Sequence, residues 1–251
     1  MSSEKLEHQF DPNWVIGQGA TNDDWKNHKK IDIDIENAED YRENYRLFIS
    51  GIVPRPVAFI STIDDQGNQN LAPAFSFFNI VSSNPPVFTI GISKNASRDD
   101  GTKDTLENIL QTKELTINII SEWFIDAANY TSIPSKAGVD EFKLSNLTPS
   151  PSKKVKAPHV AESAFSIEAK LLSTNEWKSK HNPEQTSGTL VIVEGVHSWV
   201  REDILNKDRK TIDISKLKPV GRLGAINYTT IQDNGYPITR PDPGYAFTTE
   251  K

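Results

Sequence analysis

The pattern of hydrophobic and polar positions changes near residue 57, where helical spacing gives way to extended segments. Before that point, Tyr41, Tyr45 and Phe48 recur at helical spacing and Gly51 suits the position after a helix end, which predicts a helix over 38–51. After it, six segments are rich in β-branched and aromatic residues, as strands are. The predicted strands are 57–63, 68–75, 87–93, 114–120, 164–172 and 188–200.

The residues between these segments indicate how the strands are connected. A polar turn at 64–67 joins the first two segments and predicts a β-hairpin. Apolar residues at positions 106, 109 and 110 predict a short amphipathic helix over 103–113, and 122–130 is also predicted to be helical. Residues 131–160 are rich in Pro, Ser and Lys and predict a long surface loop. Because strands and helices do not alternate regularly, the pattern favours an antiparallel β-barrel with short helices over a doubly wound sheet.

The chain has the pattern of one core flanked by two polar segments. Residues 1–36 predict an N-terminal arm, in which Trp14 and Trp25 are isolated anchors. Residues 234–251 are rich in proline and predict an extended tail. No internal repeat or second hydrophobic core interrupts 37–233, so we predict a single domain there.

Composition narrows the class of protein. The net charge of −6, with no long cluster of Lys and Arg, argues against nucleic acid as a partner. The chain has no cysteine, which excludes thiol catalysis, disulfides and iron–sulfur ligation. The N-terminus carries no apolar signal region, and no run approaches the roughly 18 apolar residues of a membrane span. These features predict a cytoplasmic protein without a membrane partner.

Common catalytic motifs are missing from the sequence. Neither a phosphate-binding P-loop nor a Gly-x-Ser-x-Gly nucleophile motif occurs, and the Gly17–Gly19 pair follows no predicted strand. The five histidines are scattered without metal-ligand spacing. We therefore predict no metal site and name no catalytic residue.

The start of the predicted helix over 103–113 is a candidate anion site. The N-terminus of a helix leaves backbone N–H groups without partners and carries partial positive charge. Lys103 and Arg98 would add full positive charges there, and Thr105 would add a hydroxyl. The alternative interpretation is that Thr102 or Asp104 simply caps a surface helix.

Five segments together resemble the flavin reductase-like family, whose members have an FMN-binding split barrel. They are 52–62, 70–79, 103–105, 140–142 and 219–224. The branch that contains flavoredoxin and the reductase component of nitrilotriacetate monooxygenase is the most similar in pattern, and the resemblance covers about residues 40–230. It implies a mainly β, antiparallel split β-barrel with short helices that binds FMN as a homodimer.

The resemblance also implies which residues bind the cofactor. Ser61, Thr62, Asn70, Ala72, Pro73, Ser76 and Phe77 would line the isoalloxazine ring and ribityl chain. Ser97, Arg98, Lys103 and Thr105 would hold the phosphate. Arg222 would lie near the ring, while Arg55 either contacts the flavin or serves only as a conformational lock between two prolines. Residues 140–142 would border the mouth of the site.

Three functions remain open at this point. The first is an NAD(P)H:flavin oxidoreductase that transfers a hydride from NADH or NADPH to FMN. The second is an FMN-binding electron-transfer protein, similar to flavoredoxin, that serves a protein partner. The third is a split-barrel binding module without a flavin.

Overall fold

The computed structural model describes residues 13–14, 17–74, 77–94 and 101–231. Residues 40–232 form one compact unit, and the described residues up to Glu39 belong to a second. In the second unit, a short 3-10 helix spans Asp24–Asn27, and Trp14 Nε1 donates a hydrogen bond to the carbonyl of Gly19 at 2.8 Å. The predicted tail over 234–251 lies outside the described residues.

The described residues of the larger unit form eleven strands and five α-helices. The strands are β1 (Ala58–Ile63), β2 (Gln69–Ala74), β3 (Phe77–Ser83), β4 (Pro86–Ser93), β5 (Glu114–Ile119), β6 (Pro149–Ser150), β7 (His159–Val160), β8 (Phe165–Lys178), β9 (Thr186–Val200), β10 (Val220–Arg222) and β11 (Tyr228–Thr230). The helices are α1 (Tyr41–Gly51), α2 (Asp104–Thr112), α3 (Ile125–Tyr130), α4 (Glu141–Ser145) and α5 (Ile214–Leu217).

Seven strands form one antiparallel sheet in the order β2-β1-β5-β8-β9-β4-β3. The six predicted strands correspond to β1, β2, β4, β5, β8 and β9, whereas β3 was not predicted. The predicted fold class, mainly antiparallel β with short helices, is confirmed.

The sheet curls around a hydrophobic core. Buried residues of six strands, including Ile60, Ile90 and Ile117, meet inside it, and Ile109 of α2 packs with them. Ala72 of β2 and Gly91 of β4 line one common cavity although their strands are first and sixth in the sheet order. Within the described residues these two strands approach each other without pairing, which leaves the barrel open along that side.

The prediction of a surface loop over 131–160 is wrong. The segment contains α4 and the β6–β7 pair, and Val155 and Ala157 are buried. Side chains of the sheet satisfy its backbone: Glu168 accepts from the amides of Lys153 and Lys154 at 2.8 and 2.6 Å. The backbone of this segment can therefore pack against the sheet, because its amides find hydrogen-bond partners on another strand.

Candidate functional site

Two adjoining cavities open where β2 approaches β4 and the first turn of α2. The small cavity has a volume of about 150 Å³ and the large cavity about 310 Å³. Both are lined by Ala72, Pro73, Lys103 and Thr105. Small residues on the strands leave room beside the backbone. At Gly91 even a Cβ atom would lie only 3.0 Å from the Cβ of Phe77.

The side chain of Asn70 joins β1, β2 and α2 next to the large cavity. Asn70 lies opposite Thr62 in the β1–β2 register, and its Nδ2 donates to Thr62 Oγ1 at 3.0 Å. The same nitrogen donates to Thr105 Oγ1 at 3.0 Å, while Thr62 Oγ1 also accepts from Asn108 Nδ2 at 3.1 Å. All four side chains are buried. This network fixes the first turn of α2 against the edge of the sheet.

Lys103 occupies the N-cap position of α2, on the wall that the two cavities share. Its side chain does not cap the helix but extends towards β4, where Nζ lies 3.5 Å from Ser93 Oγ. Burial lowers the pKa of Lys103, because removing an ammonium group from water disfavours its charge. A bound anion would compensate for this desolvation, and the first-turn N–H groups of α2 have no carbonyl partners within the helix.

The first turn of α2 also carries carboxylates, which would repel an anion. Asp104 lines the large cavity, and its Oδ2 accepts a hydrogen bond from the amide of Gly138 at 3.4 Å. Asp104 therefore connects α2 to the segment 131–139 that forms the opposite wall.

Glu141 is the first residue of α4 and lines the large cavity. It is only 3% exposed; Oε2 accepts from the amide of Leu71 at 3.2 Å, and Oε1 accepts from Ser135 Oγ at 2.8 Å. Burial raises the pKa of Glu141, the two hydrogen bonds partly offset this, and the charge of Asp104 adds to it. The carboxyl group thereby accepts an N–H, that of Leu71, on the free edge of β2. Pro73, two residues further on, has no N–H.

Ser61, Thr62 and Phe77 are arranged differently from one another. The side chain of Ser61 is buried on the opposite face of β1 from Thr62, because successive side chains of a strand alternate. Its Oγ has no hydrogen-bond partner among the described residues. Thr62 reaches the site through Asn70, whereas Phe77 begins β3 with a half-exposed ring beside Gly91.

Arg55 and Arg222 lie in a backbone bridge outside the linings of both cavities. The amide of each donates to the carbonyl of the other, at 2.9 and 2.8 Å. The Arg55 guanidinium is buried and donates to the carbonyls of Ile49 and Ile52 at 2.6 and 2.7 Å and to that of Leu223 at 3.1 Å. Arg222 donates to the carbonyl of Ala225 at 2.7 Å, and its guanidinium lies 4.5 Å from the centre of the Tyr228 ring. These contacts make Arg55 a structural lock with a buried guanidinium, whereas a lock between two prolines was expected to leave the cation exposed.

Of the sequence-predicted site residues, Asn70, Ala72, Pro73, Lys103 and Thr105 come together around the cavities. Ser76, Ser97 and Arg98 lie outside the described residues.

The segment 131–135 also lines the large cavity. Tyr45 of α1 and Lys94 line the cavities as well and were not predicted. The helical spacing of Tyr45 indicated only a helix face, and nothing in the sequence places that face beside β2.

The described residues hold no group of three His, Cys, Asp or Glu side chains placed to bind a metal ion. No helix in those parts of the chain is both long and apolar enough to cross a membrane.

A curled antiparallel sheet that stays open on one side is the architecture of split-barrel proteins. Residues 50–214, more than half of the chain, match the model of the flavin reductase like domain. The chain belongs to the flavin reductase-like family.

Solved structures support both the fold and the branch. Nitrilotriacetate monooxygenase component B from Bacillus cereus superposes with a TM-score of 0.76 at 28% identity, covering 85% of this chain and 100% of that one. A candidate flavin reductase with a split barrel domain from Shewanella frigidimarina gives 0.65 at 26% identity, covering 85% and 99%. Flavoredoxin of Desulfovibrio vulgaris gives 0.58 at 27% identity, covering 79% and 93%. The predicted family and branch are confirmed.

Proposed function

We propose that this protein binds FMN in the two cavities and transfers a hydride to it from NADH or NADPH. The observation that carries the proposal is the position of Lys103 and Thr105 at the start of α2, on the wall that both cavities share. Membership of the flavin reductase-like family supports a flavin as the ligand. A helix start of this kind suits a single terminal phosphate, which FMN carries and FAD does not.

The residues around the cavities fit this cofactor in their chemistry. A phosphate would face the Lys103 ammonium, which is half-buried and whose contact with Ser93 Oγ is long, at 3.5 Å. A flat ring can approach the strands closely at Ala72 and Gly91, where side chains are small or absent. Asn70 holds Thr105 in place through a bond of 3.0 Å, so the phosphate-binding turn is fixed before the ligand arrives.

Bound FMN would supply the hydride chemistry, so the chain needs no nucleophile or general base of its own. Its residues bind and orient the cofactor: Lys103 and the α2 amides hold the phosphate, and the β2–β4 opening admits the ring. Arg55 is excluded from the proposed contacts, because its guanidinium already donates to three backbone carbonyls. Arg222 stays a structural residue in the proposal for a similar reason.

The proposal includes a homodimer, with β3 in the interface. β3 is at one end of the seven-stranded sheet, and Ile80 and Val81 on it are 59% and 63% exposed. Apolar side chains on an edge strand favour a covered surface, and a second copy of the chain is the occupant we propose. Light scattering at micromolar concentration should give twice the chain mass of 28.1 kDa; a particle of the chain mass with FMN fully bound would refute the dimer.

The test of the cofactor is the visible spectrum of the purified protein, followed by heat release and chromatography of what is bound. We expect a yellow protein that releases FMN. Release of FAD, or failure of the protein to bind FMN supplied in excess, would contradict the proposal. A colourless protein that does not bind FMN would indicate the flavin-free binding module instead.

The similarity to flavoredoxin favours one alternative, an FMN-binding electron-transfer protein that serves a protein partner. Steady oxidation of NADH or NADPH in the presence of excess FMN supports the reductase. Flavin that stays oxidised with both nicotinamides, yet is reduced reversibly by dithionite, supports the electron-transfer protein.

A further inference from the structure

Glu141 combines three properties that a purely structural carboxylate would not need. It lines the large cavity, it is almost fully buried, and it connects two walls of that cavity. One oxygen accepts from the backbone of Leu71 on β2, and the other accepts from Ser135 on the segment opposite. The carboxyl group therefore lies where any anion in the large cavity would repel it.

The charged groups around Glu141 do not neutralise it. Lys94 contacts Gln185 through Nζ at 2.6 Å, and Asp140 forms an ion pair with Lys143 at 3.2 Å. The titratable and charged groups on the elements around Glu141 are Lys94, Lys103 and Asp104 around the cavity, Lys136 in the segment 131–139, Asp140 at the N-cap of α4, Lys143 on α4, and Asp126 and Tyr130 on α3. Asp104 has the same sign as Glu141, and Lys103 is the cation that we assign to the phosphate.

We propose that Glu141 takes up a proton from solvent when the phosphate of FMN enters the large cavity, so that FMN binding depends on pH through Glu141. Riboflavin, which has no phosphate, would bind without this uptake. The inference rests on the proposed function. Glu141 acts as a positioning residue here, since it holds the cavity walls whether or not it carries a charge.

The geometry allows the proton to be taken up without loss of either wall contact. A carboxyl group protonated on Oε1 still accepts the Leu71 amide on Oε2. The Ser135 hydroxyl can rotate from donor to acceptor at the same distance of 2.8 Å. A cavity of about 310 Å³ is about 8 Å across if taken as a sphere, so a phosphate dianion at its far side would still repel the carboxylate.

The direction of the pH effect follows from linkage. Burial already raises the pKa of Glu141 in the ligand-free protein, and a nearby dianion raises it further. Between those two pKa values binding takes up a proton, so the dissociation constant of FMN increases as pH rises. The slope cannot exceed tenfold per pH unit for one proton, and we expect a total change of about ten- to a hundredfold.

The experiment compares wild-type protein with Glu141→Gln, which keeps the size of the side chain. Glu202→Gln, at an exposed carboxylate in the 3-10 helix Glu202–Ile204, is the matched control. FMN and riboflavin are titrated into each apo-protein by flavin fluorescence between pH 5.5 and 8.5. Calorimetry in buffers of different ionisation enthalpy counts the protons taken up.

We expect the FMN dissociation constant to rise more steeply with pH in wild type and Glu202→Gln than in Glu141→Gln. Titration of Lys103 and of the phosphate is common to all three proteins, so the difference isolates Glu141. Equal slopes and equal proton counts would overturn the inference while leaving the proposed function intact. Absence of FMN binding to wild type at every pH would overturn both.

Ser135→Ala provides a second test if Glu141→Gln does not fold. The hydroxyl of Ser135 lowers the pKa of Glu141, so its removal should move the pH-dependent range of FMN binding upward. An unchanged range in a folded Ser135→Ala protein would also overturn the inference.

Discussion

Replacing Lys103 by Met should weaken the binding of FMN and leave the binding of riboflavin almost unaffected. Met keeps most of the aliphatic side chain, which is half-buried between β4 and α2, but removes the ammonium group. A hydrogen bond to a charged group contributes roughly 1.5–3 kcal/mol, which corresponds to about a ten- to hundredfold loss of FMN affinity. Thr105→Val should reduce FMN affinity by less, because a neutral hydroxyl contributes about 0.5–1.5 kcal/mol.

Quenching of flavin fluorescence during titration into apo-protein measures both dissociation constants. Lys207→Met is the matched control, since Lys207 is exposed and distant in sequence from α2 and its replacement changes the net charge equally. Added salt should narrow the difference in FMN affinity between wild type and Lys103→Met, because the lost interaction is electrostatic. Unchanged FMN affinity in Lys103→Met would show that Lys103 is only a solvated charge on a capped helix. Equal losses for FMN and riboflavin would point to damaged packing instead.

Three further substitutions test the parts of the fold that support the site. Asn70→Ala should lower the free energy of unfolding by about 1–3 kcal/mol, because it removes hydrogen bonds to Thr62 and Thr105; a urea midpoint equal to wild type would contradict this network. Arg55→Lys should reduce the free energy of unfolding by about 2 kcal/mol or more, since one ammonium cannot reach three carbonyls. FMN affinity should stay within about twofold of wild type. A large loss of FMN affinity in folded protein would show that Arg55 contacts the cofactor. Glu168→Ala should expose the segment 151–158 to trypsin, because the amides of two lysines there lose their acceptor; a segment as resistant as in wild type would show that other contacts hold it.

The hydrophobic pattern is sufficient for the parts of the fold that depend on local periodicity. The β1–β2 hairpin, β4 and α2 agree with the predicted segments to within about two residues, because local apolar periodicity and turn residues mark each of them. β3 was not predicted as a separate strand. It follows β2 closely in sequence and pairs with β4 at the other end of the sheet.

The segment 131–160 shows the limit of local patterns. Its polar composition predicts exposure, but its backbone is bonded to Thr116, Asn118 and Glu168 on β5 and β8. These partners are distant in the sequence, and no single-sequence pattern couples them to the segment. These backbone groups keep their hydrogen bonds when the segment packs against the sheet, so its polar composition does not force it into solvent.

The sequence likewise indicates only some of the residues of the candidate site. Lys103 and Thr105 could be identified from the chemistry of a helix start, and Asn70 from the family resemblance. Tyr45 and Lys94 reach the cavities only through the curl of the sheet, which brings β4 and α1 to β2. The roles of the two arginines were inferred from the family resemblance, and their guanidinium partners are backbone carbonyls that a sequence does not indicate.

The two ends of the seven-stranded sheet differ in a way that limits how far copies of the chain can associate. At the β2 end, Glu141 occupies the amide of Leu71 and Pro73 offers no amide, so an incoming strand would find its donors missing. At the other end, β3 exposes apolar side chains. Continuous growth of a filament requires two compatible ends on every copy. With one receptive end among the described strands, the proposed association through β3 would stop at a closed pair.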